Sequence, residues 1–486
     1  MKSYDILFIH PTRTLQKGRT SPRSLFMFLP MGLFAIADLC EQEGFSTKII
    51  NYPLEQALDR NFDLKRCLKQ LDFKICGIDL HWINHSHGAI EIAKIVRDVN
   101  PNANIVLGGY TATYYHDEIL KYYPSIDGII RGEGEIPFLK YCQSFLQGQS
   151  LDSVPNLSYR DSTKHIKINP QTYLAKTLDN LNFTNFSLLQ NGSKYITQIK
   201  DLMRIPTNLF IGRGCPFNCP YCGGGHNAQL LINKRNKILL RSPEKVIDDL
   251  HDIVDTYKAD AIFLGHGLYP GTYNYFETLF KLIRQEKFDL GCDSEIWRLP
   301  FPQKMWYLYS KTFRHEDSSI SICPQTLSVR AQQKIRAICD PTFNFPLNQI
   351  QDLIRNANLF RIVLRIWFTI GFPFQNFKDL LTDYLFTLKT AIKHSSMKPN
   401  YITVMNDLTH ASPASPVFET PDRFKVKLLF KTFRQNLEMF KRTKYRIGGW
   451  NAVINYRTAH SSTLAIRIWN NAFNMTELPL FITSSH

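Results

Sequence analysis

Apolar positions along the first third of the chain fall in short runs, separated by stretches in which apolar and polar residues alternate with helical spacing. YDILFIHP predicts a strand, MGLFAIADLCEQEG a helix closed by Gly44, and FSTKIINYP and KICGIDLH two more strands. GAIEIAKIVRDVNP reads as a helix stopped before Pro101, and NIVLGG and DGIIRGEGE as strands that run into glycine loops. Five strands separated by helices predict an α/β domain with a doubly wound parallel sheet, Rossmann-like, over residues 1–148. Such a sheet binds ligands at the carboxyl ends of its strands.

The rhythm is lost over residues 149–205, where QGQSLDSVPNLSYRDSTKH is polar and turn-rich, which predicts a linker with a small hairpin. A second series starts at NLFIGRGC. SPEKVIDDLHDIVDTYK predicts a helix with Ser242 as its cap and Pro243 in its first turn. AIFLGHG, FDLGCDSEI, SISICPQT, RIVLRIWFTIGFP and NYITVMNDL predict strands with helices between them. Six such units are fewer than a closed eightfold barrel needs, so residues 206–406 predict an open, partial (β/α)6 barrel of the TIM type. Residues 407–486 form a smaller carboxyl-terminal region rich in aromatic and basic residues, with GGW at 448–450, expected to cover the barrel mouth and contact substrate.

With 486 residues, 44% hydrophobic and 21% charged, the chain has the composition of a globular protein of two or three domains. Its net charge of +16 favours anionic ligands, but the basic residues are scattered. No block of like charges marks a nucleic-acid arm, so nucleic acid is not the expected partner. MKSYDILFIHPTR lacks the pattern of a signal peptide, and no apolar run approaches the roughly 18 to 20 residues of a membrane span. A cytoplasmic protein is expected. Of ten cysteines, seven stand singly and read as packed thiols.

The other three, Cys215, Cys219 and Cys222, have the spacing C-x3-C-x2-C on the loop after the first barrel strand. Three thiolates can cap three irons of a cubane cluster and leave the fourth iron open to a ligand. With His226 they could instead form a Cys3His zinc site, although no second cysteine knuckle is evident. Gly212, Gly214, Pro216 and Pro220 predict an exposed irregular loop rather than a buried thiol cluster.

The run RGCPFNCPYC, with Tyr221 before its last cysteine, resembles the cluster loop of the radical S-adenosylmethionine (radical SAM) superfamily. The resemblance implies a [4Fe-4S] cluster whose open iron is chelated by SAM, and cleavage of SAM to methionine and a 5′-deoxyadenosyl radical. Gly265, His266 and Gly267 resemble the glycine-rich segment that meets the SAM amino group, with His266 where an acidic residue is frequent. CPQTLSVRAQQKIRA resembles the fourth-strand segment, which implies ribose contacts for Gln325 and Thr326 and a carboxylate contact for Arg330. TIGFP, with Gly371, resembles the turn beside the adenine. Turn and cap chemistry is the competing use of each of these positions.

Two loops of the first domain, GGYTAT at 108–113 and RGEGE at 131–135, resemble the cobalamin-binding domain that precedes the barrel in one radical SAM class. This implies cobalamin contacts at Gly108, Gly109, Thr111, Gly132, Glu133 and Gly134. HPTRTLQKG has no G-x-G-x-x-G, which argues against a dinucleotide. Asp79 and His81 match part of the D-x-H-x-x-G motif of corrinoid mutases, but the match ends in Asn84 and follows the third strand. They read as the wall of a cobalamin pocket, with His85 and His87 at a helix start, so that cobalamin binds without histidine on its lower face. The resemblance covers about residues 1–405.

It implies a cobalamin-dependent radical SAM enzyme that methylates an unactivated carbon through a 5′-deoxyadenosyl radical and methylcobalamin. The expected partners are a small-molecule or peptide substrate and an external electron donor such as flavodoxin or ferredoxin. Ring formation, oxidation or rearrangement on the same scaffold is an alternative, as is a zinc-containing nucleic-acid-binding protein without turnover. Cys40, Cys67 and Cys76 do not form the amino-terminal cluster pattern of methylthiolating tRNA enzymes. No side chain is singled out as catalytic.

Overall fold

A computed structural model describes residues 2–13, 29–194, 207–343, 345–395, 399–442 and 455–458, with 468, 469 and 472. The end of the expected linker, 195–205, and the GGW at 448–450 lie outside these residues.

The first sheet contains β1 (Lys2–His10), β2 (Thr47–Asn51), β3 (Leu71–Asp79), β4 (Asn104–Gly108) and β5 (Gly128–Ile130), all parallel and in the order β2-β1-β3-β4-β5. Ile6 to Ile9 are buried without alternation, as expected of a parallel strand covered on both faces. Helices Met31–Gln42, Ser86–Val99 and Glu135–Leu146 lie among these strands in the chain. The strand order reverses between β1 and β3, which makes the carboxyl ends of those two strands the expected ligand crevice.

The sheet does not end at β5. The hairpin expected in the linker is β6 (Leu157–Arg160) and β7 (Ile166–Ile168), and β6 pairs antiparallel with β5. The sheet is therefore mixed rather than all parallel, because a short hairpin can add to an edge strand only by turning back on it. The stretch 149–194 is also packed rather than loose: Val154, Leu178, Phe183 and Phe186 are buried.

The second sheet begins with β8 (Thr207–Leu209). The small antiparallel pair β9 (Gly212–Arg213) and β10 (Leu239–Leu240) flanks the cysteine segment. It continues with β11 (Ala261–Leu264), β12 (Gly291–Ile296), β13 (Ser319–Gln325), β14 (Val363–Ile370) and β15 (Ile402–Leu408), each parallel to the one before. Six parallel strands in chain order are consistent with a partial TIM-like barrel. Period-two alternation separates their faces. Cys292, Ile296, Ile320, Ile322, Leu364 and Ile366 are buried, whereas Asp293, Glu295 and Arg365 take the opposite face, where Arg365 pairs with Asp293 at 3.0 Å.

Ser242 caps the helix Pro243–His251 as expected, accepting from Lys245 N. The helix Leu347–Phe360 is an addition to the sequence reading. The carboxyl-terminal region adds the antiparallel pair β16 (Val426–Leu428) and β17 (Tyr456–Thr458) and returns to the first domain. There the Glu118 carboxylate accepts from the backbone of Phe433 (2.9 Å) and Arg434 (3.0 Å), at the start of the helix Phe433–Arg442. Tyr114 donates to Glu419 at 2.7 Å and Tyr115 to the Lys431 carbonyl at 2.9 Å. Among the described residues no helix is long and apolar enough to cross a membrane.

Candidate cofactor site

The three cysteines lie on the loop between β9 and the helix His226–Asn233. A turn from Cys222 N to Cys219 O (3.1 Å) folds the second half of the motif. Backbone donors point at two sulfurs, Thr342 N at Cys219 Sγ and Gly224 N at Cys222 Sγ, each at 3.3 Å, and the Thr342 hydroxyl shares a further 3.3 Å hydrogen bond with Cys219 Sγ. Burial first, then the neighbouring thiols, pushes the Cys215 pKa up; burial and Cys222 push Cys219 up to about 12. The thiols are therefore protonated until a metal displaces the protons.

Three soft thiols with hydrogen-bond donors aimed at their sulfurs fit an iron–sulfur cluster. Among the described residues no three His, Cys, Asp or Glu side chains converge as ligands of a single metal ion. Ligands to separate irons of a cube need no such convergence. The His226 backbone donates to Phe217 O at 2.8 Å and its residue opens a helix.

Around the barrel, Gly267 lies flat against Trp297, where an added Cβ would come within 2.2 Å of the indole, so only glycine fits. His266 is 2% exposed, its ring 4.6 Å from that of Trp297, and among the described residues neither ring nitrogen has a partner in good hydrogen-bond geometry. Burial takes its pKa down to about 4, against an opposing pull from the backbone of Gly267 and Gly214. The position thus carries a buried neutral imidazole with only the Gly214 and Gly267 backbone near its nitrogens, where a bound polar ligand would complete its hydrogen bonding.

Gln325 accepts from the Thr369 hydroxyl and donates to Cys323 O at 3.3 Å. The Thr326 hydroxyl, expected at the ribose, is buried and donates to Asp383 at 2.8 Å. Arg330, expected at the SAM carboxylate, is paired with Asp379 and donates to Phe374 O at 2.7 Å. Both side chains are used in holding the helix Val329–Arg336 and the strand before it against the helix Phe377–Ser395. The Gly371 amide is accepted by Gln375 Oε1 at 3.1 Å, and its carbonyl accepts from Tyr456 at 3.1 Å.

At the crevice of the first sheet, Thr111 N and Oγ1 both donate to His81 O (3.1 and 3.0 Å), and Ala112 N donates to Leu80 O (3.1 Å). The Thr111 hydroxyl is thus occupied. Gly109 has φ +104°, and an added Cβ would lie 2.8 Å from the His81 backbone, so glycine is required here by packing. Thr113 joins the two glycine loops, donating to Gly109 O (2.8 Å) and accepting from Gly132 N (2.9 Å). Asp79 is bound by His10 Nδ1 at 2.9 Å, while His81 and Trp82 are exposed, with His81 stacked on Tyr110 at 4.5 Å. His85 and His87 stand at the start of the helix Ser86–Val99, as expected.

Glu133, expected at cobalamin, is the centre of a buried ion cluster between the two sheets. Arg235 grips it with Nε at 2.6 Å and Nη2 at 2.9 Å, Ala175 N donates at 2.9 Å, and Arg213 Nη1 lies 3.3 Å away. Arg213 also pairs with Glu135. Although burial opposes it, the Arg213 guanidinium holds the Glu135 carboxyl below its usual range. Arg213 precedes the cysteine motif by two residues, so the RGEGE loop is bolted to the base of the cysteine loop. Tyr110 adds a contact: its hydroxyl bonds Gln229, and a Cβ added at Gly224 would lie 3.9 Å from its ring and 3.8 Å from Cys222 Sγ. Arg213, Arg235, Tyr110 and Thr342 escaped the sequence reading. Basic residues flank the cysteine motif in GRGC and NKRNK, but nothing in either run marks a partner about a hundred positions away.

The B12 binding domain family matches residues 25–141. An uncharacterized methyltransferase of Pyrococcus horikoshii is 28% identical over 270 residues, 53% of this chain and 55% of that protein, so the match spans little more than half of the relative. The cytidylyl-2-hydroxyethylphosphonate methyltransferase of Streptomyces wedmorensis is 22% identical over 415 residues, 76% of this chain and 73% of that enzyme. The fold is shared with the radical S-adenosylmethionine methyltransferase TsrM from Kitasatospora setae, solved with cobalamin and a [4Fe-4S] cluster. The TM-score is 0.63 at 12% identity, over 88% of this chain and 77% of that one.

Proposed function

We propose that this chain, a B12 binding domain joined to a radical SAM-type fold, is a cobalamin-dependent radical SAM methyltransferase acting on an unactivated carbon. The observation that carries the reading is the meeting of two edges. The glycine loop after β4 lies, through Tyr110, against Gly224 and hence beside Cys222. Methyl transfer needs its two cofactor sites to share one cavity, and this contact supports that.

In this reading Cys215, Cys219 and Cys222 hold a [4Fe-4S] cluster. Gly265, His266, Gly267, Gln325 and Gly371 frame SAM, His266 through a neutral nitrogen. Gly108, Gly132, Gly134, His81 and Trp82 frame cobalamin. The chemistry these groups supply when bound is formation of a substrate carbon radical and delivery of a methyl group to it. The polypeptide's own work is binding, orientation and exclusion of water. The Asp293–Arg365 pair and Glu295, whose carboxylate accepts from Trp297 Nε1 at 3.0 Å, offer polar anchors for a small-molecule or peptide substrate on the barrel face. The electron comes from an external donor such as flavodoxin or ferredoxin.

Anaerobic reconstitution tests the reading. We expect about four irons per chain, cobalamin bound by the full chain, and label in the product when SAM carries a labelled methyl group. Changing any one of the three cysteines to alanine should abolish SAM cleavage. One zinc and no iron would reject the reading, and an unlabelled product would reject methyl transfer in favour of ring formation or oxidation.

A further inference from the structure

Residues 340–342 belong to none of the motifs described above, yet they wrap the middle of the cysteine loop. Asp340 O accepts from Asn218 N at 2.5 Å, and Thr342 presents both its amide and its hydroxyl to Cys219 Sγ, each at 3.3 Å. Arg298, two residues beyond β12, holds this segment in place. Its Nη2 donates to Pro341 O at 2.6 Å and to the Asp340 carboxylate at 2.5 Å. Its guanidinium carbon sits 4.1 Å from the centre of the Phe217 ring, inside the cysteine motif.

We infer that Thr342 and Arg298 are positioning residues that raise the reduction potential of the cluster, acting chiefly on the Cys219 arm. The inference rests on the proposed function. A thiolate bound to iron has no proton to give, so in the loaded protein Thr342 must be the donor in both contacts. One-electron reduction adds a negative charge to the cluster and its sulfurs. Hydrogen bonds to a ligating sulfur and a nearby cation both favour the more negative state.

Asp340 offsets part of the arginine charge, but its side chain is 66% exposed and screened by water, whereas the guanidinium lies against the buried Phe217. Glu295 has the opposite sign and acts on Cys222. Thr342 thus gives the Cys219 arm two donors beside the Arg298 cation, and the same cation also reaches Cys215.

The test is an EPR-monitored redox titration of the anaerobically reconstituted full chain, with iron content measured on each sample. Thr342→Val keeps the amide contact and removes the hydroxyl, and it should shift the midpoint to a more negative potential. Thr342→Ser should restore it. Arg298→Gln should also shift it negative, and Arg298→Lys, which keeps the charge but not the fork, should fall between. Unchanged midpoints in Thr342→Val and Arg298→Gln at full iron content overturn the inference alone. Variants that simply lose their iron, with the serine and lysine replacements doing the same, also overturn it, because the segment would then be structural. A wild-type chain that takes up zinc and builds no cluster overturns the proposed function, and the inference with it.

Discussion

The buried cluster around Glu133 makes a quantitative prediction. In Arg235→Met the carboxylate loses two charge-assisted bonds, at 2.6 and 2.9 Å, from a guanidinium that is itself buried. Breaking a buried pair from one side costs about 3 to 5 kcal/mol, mostly for the stranded charge. Here Ala175 N remains at 2.9 Å and Arg213 at 3.3 Å, so the loss should lie near the lower end, about 3 kcal/mol. If the RGEGE loop then opens from the cysteine loop, amide hydrogen exchange in residues 131–135 should speed up roughly 100-fold, since 1.4 kcal/mol is about a factor of ten. Glu133→Gln should act alike, because it strands Arg235. The double variant should cost only about 1 to 2 kcal/mol, well under the sum, since no unpaired charge is left. A change below about tenfold in Arg235→Met, or a double variant as severe as the sum, would refute the reasoning. A corrin contact for Glu133 predicts the opposite asymmetry, with Glu133→Gln altering the cobalamin spectrum and Arg235→Met leaving it unchanged.

Other consequences are open to simple experiments. A Cβ at Gly108 meets nothing closer than Ile130 O at 3.9 Å, so Gly108→Ala should leave the fold intact and weaken cobalamin binding by approaching the corrin; unchanged affinity counts against that contact. Gly109→Ala should instead destabilise the first domain itself, by about 2 kcal/mol or more from the strained backbone and the close approach to His81, which thermal unfolding without cobalamin can read. His266 has a folded pKa of about 4, below its ordinary 6.5, so its share of stability is whole above pH 6.5 and falls as the pH drops toward 4. The loss should reach about 2 kcal/mol by pH 5, and denaturation midpoints of His266→Gln at pH 7 and pH 5 should differ less than those of the wild type. An equal acid loss in both proteins would contradict the assignment.

Much of the fold was legible because helix and strand leave different periods. Ile6 to Ile9 and the alternation of Leu364, Ile366 and Phe368 in β14 announce a doubly covered strand and a two-faced one. The hairpin β6–β7 was visible as a hairpin, but no local signal says which edge it joins, so the mixed character of the sheet was not. The helix Leu347–Phe360 was missed because its run NQIQDLIRNANLF is polar on much of its surface and opens at Pro346 without a capping side chain. At the site, the cysteine spacing was legible because thiolates close in sequence can share one cluster. The ion pair of Glu133 was not legible, because RGEGE has the look of a ligand loop and a sequence cannot show that Arg235 reaches it from about a hundred positions away. Thr342 and Arg298 act on Cys219 across more than seventy residues, and contacts of that range have no one-dimensional signature.

The return of the carboxyl-terminal region to Glu118, Tyr114 and Tyr115 means that the first domain is held at more than one place. One is the arginine cluster beneath the cysteine loop, and another is this seam at the helices that follow β4, with Tyr110 and its bond to Gln229 between them. A body held at one point can swing about it, whereas one held at two can rotate only about the line joining them. Swinging the first domain away from the barrel would have to break these contacts. Large ligands should therefore come and go by the parting of individual loops rather than by a swing of the whole domain.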